Sequence, residues 1–203
     1  QPHLREDLNA IDVTQPDGVS FSLEGSLLKW HEWSVRIGFN AREALTLHDL
    51  RYSDRAVLYR ASLAEMVVPY GSPEAGHFRK NVFDIGEYGL GKLTNALSLG
   101  CDCLGAIAYV DGWIADINGE PMCMENAICI HEEDDGLVWK HWDYRLDHTE
   151  VRRSRRLVIS SIATVGNYEY ACYWYLYLDG TIEYEIKATG IINTVAYEPG
   201  QPG

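Results

Sequence analysis

The stretch 164–181, TVGNYEYACYWYLYLDGT, constrains the fold more than any other part of this chain. Aromatic and aliphatic residues alternate along it. Tyr173, Tyr175 and Tyr177 fall on one side, and Cys172, Trp174, Leu176 and Leu178 on the other. A period of two is the signature of a strand, because successive side chains of extended backbone point to opposite faces. Asp179-Gly180 then supplies the residue pair that a tight hairpin turn favours, and 181–187 reads as the returning strand.

The remaining sequence repeats this grammar in shorter phrases. Strand-like runs are expected at 33–37, 41–50, 56–59, 65–70, 106–110, 124–131, 136–144 and 157–165. Pro69 marks its run as an edge or irregular strand, since proline cannot donate to a ladder. Residues 86–105 are punctuated by glycine and read as mostly loop, and 117–120 as a turn. No segment carries a capped helical period of about 12 residues or more. Short strands joined by turns predict an all-β chain, an antiparallel β-sandwich.

With 203 residues the chain is long enough for one domain that buries about 70% of its unfolded surface. Residues 1–24 are polar and turn-rich and read as a connector from a preceding domain. Residues 25–203 form the domain proper, and 198–203 make a turn-rich end. A formal net charge of −13 argues against nucleic acid as a partner and favours cationic small molecules. No apolar run is long enough to span a membrane as a helix. The basic run Arg152, Arg153, Arg155, Arg156 reads as a solvated loop paired with carboxylates. Glu132, Glu133, Asp134 and Asp135 read as a solvated acidic corner, because the ligand spacing of a calcium loop is missing. The five cysteines, 101, 103, 123, 129 and 172, fit no zinc pattern, and from spacing alone all five could be small buried thiols.

One set of motifs goes further. Asn167-Tyr168-Glu169-Tyr170 at the mouth of the aromatic hairpin resembles the cofactor motif of the copper amine oxidases. Residues 62–70 (SLAEMVVPY), 83–88 (FDIGEY), 99–105, 131–134 and 155–160 resemble further segments of that family, in its order, across roughly 41–194. The likeness leans towards the fungal and yeast type. It implies a primary amine oxidase, a homodimer, and a peroxisomal or cytoplasmic home. It also implies that this chain is the N-terminal portion of a longer catalytic domain.

The resemblance assigns roles residue by residue. Tyr168 is expected to be the tyrosine oxidised in place to topaquinone, whose carbonyl forms a Schiff base with a primary amine. Amine oxidation needs such an electron sink, which no unmodified side chain provides. Asp84 is expected to be the proton acceptor, desolvated among Phe83, Tyr88 and the hairpin; taken alone it would be an ordinary turn carboxylate beside Gly86. Tyr70 is expected to hydrogen-bond the cofactor ring oxygen, and Asn167 to restrict the ring's motion. Phe83 and Tyr88 belong to the expected substrate channel, with Val82 where some relatives carry an aromatic gate, so a wider channel is expected. The family's disulfide would fall on Cys103 and Cys129. Copper(II) in this family is held by three histidines, two of them in a His-x-His pair downstream of the tyrosine. His3, His31, His48, His77, His131, His141 and His148 all precede Tyr168 and form no such pair, so no metal ligand is assigned to this chain. The competing reading is a non-enzymatic β-sandwich, an interaction or carbohydrate-binding module that keeps the aromatic strand as core.

Overall fold

A computed structural model describes residues 7–78, 80–194 and 200. The expected all-β architecture is observed: two five-stranded antiparallel sheets and a two-stranded ribbon. The first sheet is a meander of β1 (Phe21–Glu24), β2 (Leu27–Trp30), β3 (Trp33–Asn40), β4 (Ala44–Tyr52) and β5 (Arg55–Ala61). The ribbon pairs β6 (Val67–Pro69) with β7 (Asn81–Phe83). The second sheet contains β8 (Ala108–Ala115), β9 (Pro121–Asp143), β10 (His148–Val165), β11 (Tyr168–Tyr177) and β12 (Ile182–Gly190), each beside the next.

Alternation along the strands places one face of each sheet against the other. Leu28, Trp30, Trp33, Val35, Leu47 and Leu50 from the first sheet meet Ile128, Ile130, Leu157, Ile159, Trp174 and Leu176 from the second. Each such side chain contributes about 1.5–3 kcal/mol by leaving water. The two faces read from 164–181 are present, with Trp174 and Leu176 in the core and Leu178 packed on its edge. The tyrosine face is covered too. Tyr173 and Tyr175 stack at 6.0 Å, the Arg156 guanidinium lies 3.9 Å from the Tyr175 ring centre, and Tyr175 is only 2% exposed.

Three expectations need correction. The acidic corner does not divide two strands, because β9 runs unbroken through it. The arginine run is not a loop, because it lies inside β10, opposite those carboxylates. The two errors share one cause. Register sets Arg156 against Glu133 and Arg155 near Asp134 and Glu132, so opposite charges meet across the ladder and the strands can continue. The expected pairing with carboxylates is found: Arg153 donates to Asp134 (Nε, 2.7 Å) and Arg156 to Glu133 (Nε, 2.8 Å). Thirdly, Glu132 is buried, not solvated. It accepts from Gln15 Nε2 (2.7 Å), Ser20 N–H (2.7 Å) and Trp30 Nε1 (2.9 Å). Burial pushes its carboxyl up, but these donors more than offset that and hold it below the ordinary glutamate value.

Residues 86–105 are irregular as expected, apart from a single π turn at Asp84–Tyr88 and a 3-10 turn at Leu90–Leu93. Among the described residues no helix is long and apolar enough to cross a membrane. The expected turn-rich end at 198–203 lies outside the described residues except for Gly200.

Candidate active site

Tyr168 begins β11 directly after the turn Gly166-Asn167, and Val165 pairs with it across the hairpin. On its other side Tyr168 pairs with Gly190 of β12. A β-carbon on Gly190 would stand 2.5 Å from the Asn167 carbonyl oxygen, and its φ of +92° is one that side chains rarely adopt. Glycine there lets three strands close tightly around Tyr168. Asn167 Nδ2 donates to the Ile191 carbonyl, which ties the turn to the chain leaving β12. Beneath the turn the Thr164 hydroxyl donates to Glu169 Oε1 (2.8 Å), and Asn95 Nδ2 donates to Glu169 Oε2 (3.2 Å).

Asp84 arrives from the opposite side. Its π turn is capped by Glu65, whose Oε1 accepts the backbone N–H groups of Met66, Ile85 and Gly86 at 3.0–3.2 Å. A second apolar cluster of Ala44, Ile85, Leu90, Ala163, Val165 and Tyr170 fastens this turn to β10 and β11. Gly91 is required for the fit, since a β-carbon there would lie 2.0 Å from the Asn40 carbonyl oxygen. Asp84 is 3% exposed, and Tyr170 Oη donates to its Oδ2 at 2.7 Å. That hydroxyl is a dependable donor, because burial first and its hydrogen bond to Asp84 second push its phenol well above the ordinary tyrosine value.

The hydroxyls of Tyr70 and Tyr168 stand 2.8 Å apart. This bond, then burial, pushes the Tyr168 phenol upward. Tyr70 follows the ribbon strand β6, and its backbone N–H donates to the Lys80 carbonyl (2.9 Å). Its ring lies 4.8 Å from that of His77 and 4.6 Å from Lys80 Nζ. A cleft of about 120 Å³ opens between these parts, with Tyr70, Val82, Asp84, Tyr88, Asn167 and Tyr168 all in its wall.

Six of the residues singled out from sequence therefore share one cleft although they come from segments up to 98 positions apart. Phe83 is the exception among the expected channel residues: it is 38% exposed and does not line the cleft, since its neighbour Val82 takes the inward position on β7. Cys103 and Cys129 form a disulfide. Sequence reasoning assigned no role to Tyr170, Glu65 or Lys80. Tyr170 had a signal, since it lies two residues after Tyr168 and so projects to the same face. The other two are brought in by tertiary contact alone.

Among the described residues, those that line this cleft offer no set of ligands for copper. Among the described residues the one group of three metal-ligating side chains close enough to share an ion is Cys103, Cys129 and His131, and none of these lines the Tyr168 cleft.

The family model for "Copper amine oxidase, enzyme domain" matches residues 22–203. The chain is 54% identical over 201 residues to a primary amine oxidase of Arthrobacter sp., covering 97% of this chain and 31% of that protein. It is 50% identical over 197 residues to the peroxisomal primary amine oxidase of Pichia angusta, covering 94% and 28%. Bacterial as well as yeast proteins thus match. The crystal structure of a copper-containing benzylamine oxidase from Hansenula polymorpha superposes with a TM-score of 0.88 at 40% identity, over 94% of this chain and 30% of that one. The chain spans about a third of the length of the relatives it matches. By its sequence, its fold and the match of a family model over nearly its whole length, this chain belongs to the copper amine oxidase family.

Proposed function

We propose that this chain supplies the tyrosine and the base of a primary amine oxidase, converting an amine, dioxygen and water into an aldehyde, ammonia and hydrogen peroxide. The observation that carries the reading is the shared cleft: a buried carboxylate, Asp84, and a phenol pair, Tyr70 and Tyr168, open to the same small space. Tyr168 is the precursor of topaquinone, which supplies the electrophilic carbonyl and the two-electron sink that amine oxidation requires. Copper(II), needed to make and support that group, is held by residues outside this chain.

The chain's own residues do the rest. Tyr70 holds the oxygen of the residue at 168 through its hydroxyl and fixes the orientation of the ring. Asn167, tied to Ile191, keeps the turn from swinging. Tyr170 occupies one oxygen of Asp84, which leaves the other free to take a proton from the carbon beside the amine nitrogen. Val82 and Tyr88 wall the approach, and valine leaves it wider than an aromatic residue would. Because β1 (Phe21–Glu24) pairs with β2 inside the first sheet, the expected boundary at 24 moves to about 20; we propose further that the residues before β1 connect to a preceding domain, that the domain continues into the remainder of the catalytic domain, that the whole protein is a homodimer, and that it works in the peroxisome or cytoplasm.

The test uses full-length, copper-loaded, aerated protein and a coloured aryl hydrazine. Stoichiometric covalent labelling at position 168, with amine turnover lost in Asp84→Asn while labelling persists, is the expected result. An unlabelled Tyr168, or an Asp84→Asn enzyme as fast as wild type, would overturn the assignment.

A further inference from the structure

The disulfide faces a buried histidine. Cys129 and His131 lie two apart on β9, so both side chains project to one face. Cys129 Sγ stands 3.4 Å from His131 Nδ1, and His131 Nε2 stands 3.1 Å from Glu133 Oε1. His131 is 5% exposed, so inside the fold its ring sits between the Glu133 carboxylate at one nitrogen and the Cys129 sulfur at the other. A carboxylate holding one imidazole nitrogen while the other faces a sulfur is the support that a metal-ligating histidine carries.

Sγ of Cys103, Sγ of Cys129 and the His131 nitrogen all lie within 4.8 Å of one another. A tetrahedral zinc ion at ~2.3 Å from sulfur and ~2.1 Å from nitrogen sets its ligand atoms about 3.5–3.8 Å apart. Once the S–S bond opens, displacements on the order of an ångström complete that arrangement. A cleft of about 460 Å³, with Cys101, Cys103, Leu104, His131 and Tyr173 in its wall, gives access and room for water as a fourth ligand.

We propose that Cys103, Cys129 and His131 form a redox-gated site for zinc, closed while the disulfide is intact and opened by its reduction. A dithiol gives two electrons and two protons and becomes a disulfide itself, the Cys103–Cys129 bond breaks, and both sulfurs leave as thiols. Zn(II) then displaces the two thiol protons, and two thiolates with one neutral imidazole make an uncharged unit suited to a buried position. The site uses none of the residues of the Tyr168 cleft, so it stands or falls separately from the amine oxidase reading.

The experiment uses the full-length, copper-loaded protein, treated anaerobically with a water-soluble phosphine that reduces disulfides without adding a thiol. The desalted protein is titrated with Cd(II), whose thiolate charge-transfer absorption distinguishes this site from histidine-bound copper. One equivalent of Cd(II) should give the band after reduction and none before it. Cys103→Ser and Cys129→Ser should abolish it, His131→Ala should weaken binding at least tenfold, and Cys101→Ser should leave it intact. A second measurement needs no substitution: Zn(II) should slow alkylation of Cys103 and Cys129 in reduced wild-type protein at least tenfold and leave exposed Cys101 unaffected. Absence of the band in reduced protein, its persistence in Cys103→Ser/Cys129→Ser, or equal alkylation with and without Zn(II) overturns the proposal.

Discussion

Tyr170→Phe isolates what one hydroxyl does for the proposed base. Tyr170 Oη donates at 2.7 Å to a carboxylate that is 3% exposed, and no other side-chain donor to Asp84 is found among the described residues. A hydrogen bond to a charged group is worth about 1.5–3 kcal/mol. The cleft beside Asp84 admits water, which recovers part of the loss and favours the lower half of that range, about 1.5–2 kcal/mol. At ~1.4 kcal/mol per factor of ten, kcat/KM should fall by about 10–30-fold. The phenyl ring keeps its place in the cluster with Ile85, Leu90 and Val165, so folding should change little. The assay is steady-state amine oxidation beside hydrazine titration of reactive carbonyl at position 168. The fall should sit in kcat with KM and carbonyl content near wild type. A kcat/KM within twofold of wild type would refute the reasoning, because Asp84 would then not depend on Tyr170. A loss explained wholly by missing carbonyl would place the role of Tyr170 in making the group instead.

Two other predictions concern the scaffold. Glu43 accepts from Arg60, Ser62 and Asn40, and the Arg60 bond first among them holds its carboxyl at about 2, against the opposing cost of burial. A depressed carboxylate contributes stability that is present above about 4.5 and lost as pH falls towards 2. The urea midpoint should therefore decline through that window, and Glu43→Gln should flatten the decline. Glu132→Ala leaves the buried indole N–H of Trp30 and the Ser20 and Gln15 donors unmatched, while half-exposed Arg155 loses little. The expected cost is about 2–4 kcal/mol in urea unfolding, with Glu132→Gln milder because one acceptor oxygen survives.

The parts of the fold legible in the sequence are those where one strand's own pattern suffices. The alternation at 171–178 fixes which residues of β11 enter the core, and Asp179-Gly180 ends that strand where the turn chemistry says it should. The 23-residue β9 was not legible, because Glu132 to Asp135 look like water-seeking residues until Arg153, Arg155 and Arg156 are seen opposite them. Charge taken one strand at a time hides a pairing that spans two. β7 has only three residues, too few for a period to declare itself, and its turn of Val82 towards the cleft is what excludes Phe83. Within the site, Asp84, Tyr70 and Tyr168 were reached through ordered motifs, since nothing local in an aspartate beside a glycine announces a buried base. Nothing in the 62–70 segment marks a role for Glu65, because its work is to cap a turn 20 residues away.

The central claim is that the phenol at position 168 is converted into a quinone beside Asp84. Its most direct test is the mass of the peptide carrying residue 168, taken from full-length protein supplied with copper and oxygen. The account predicts two oxygens gained and two hydrogens lost at that residue, and no change in protein kept free of copper. A peptide that retains the mass of plain tyrosine in the copper-loaded, aerated protein would contradict it.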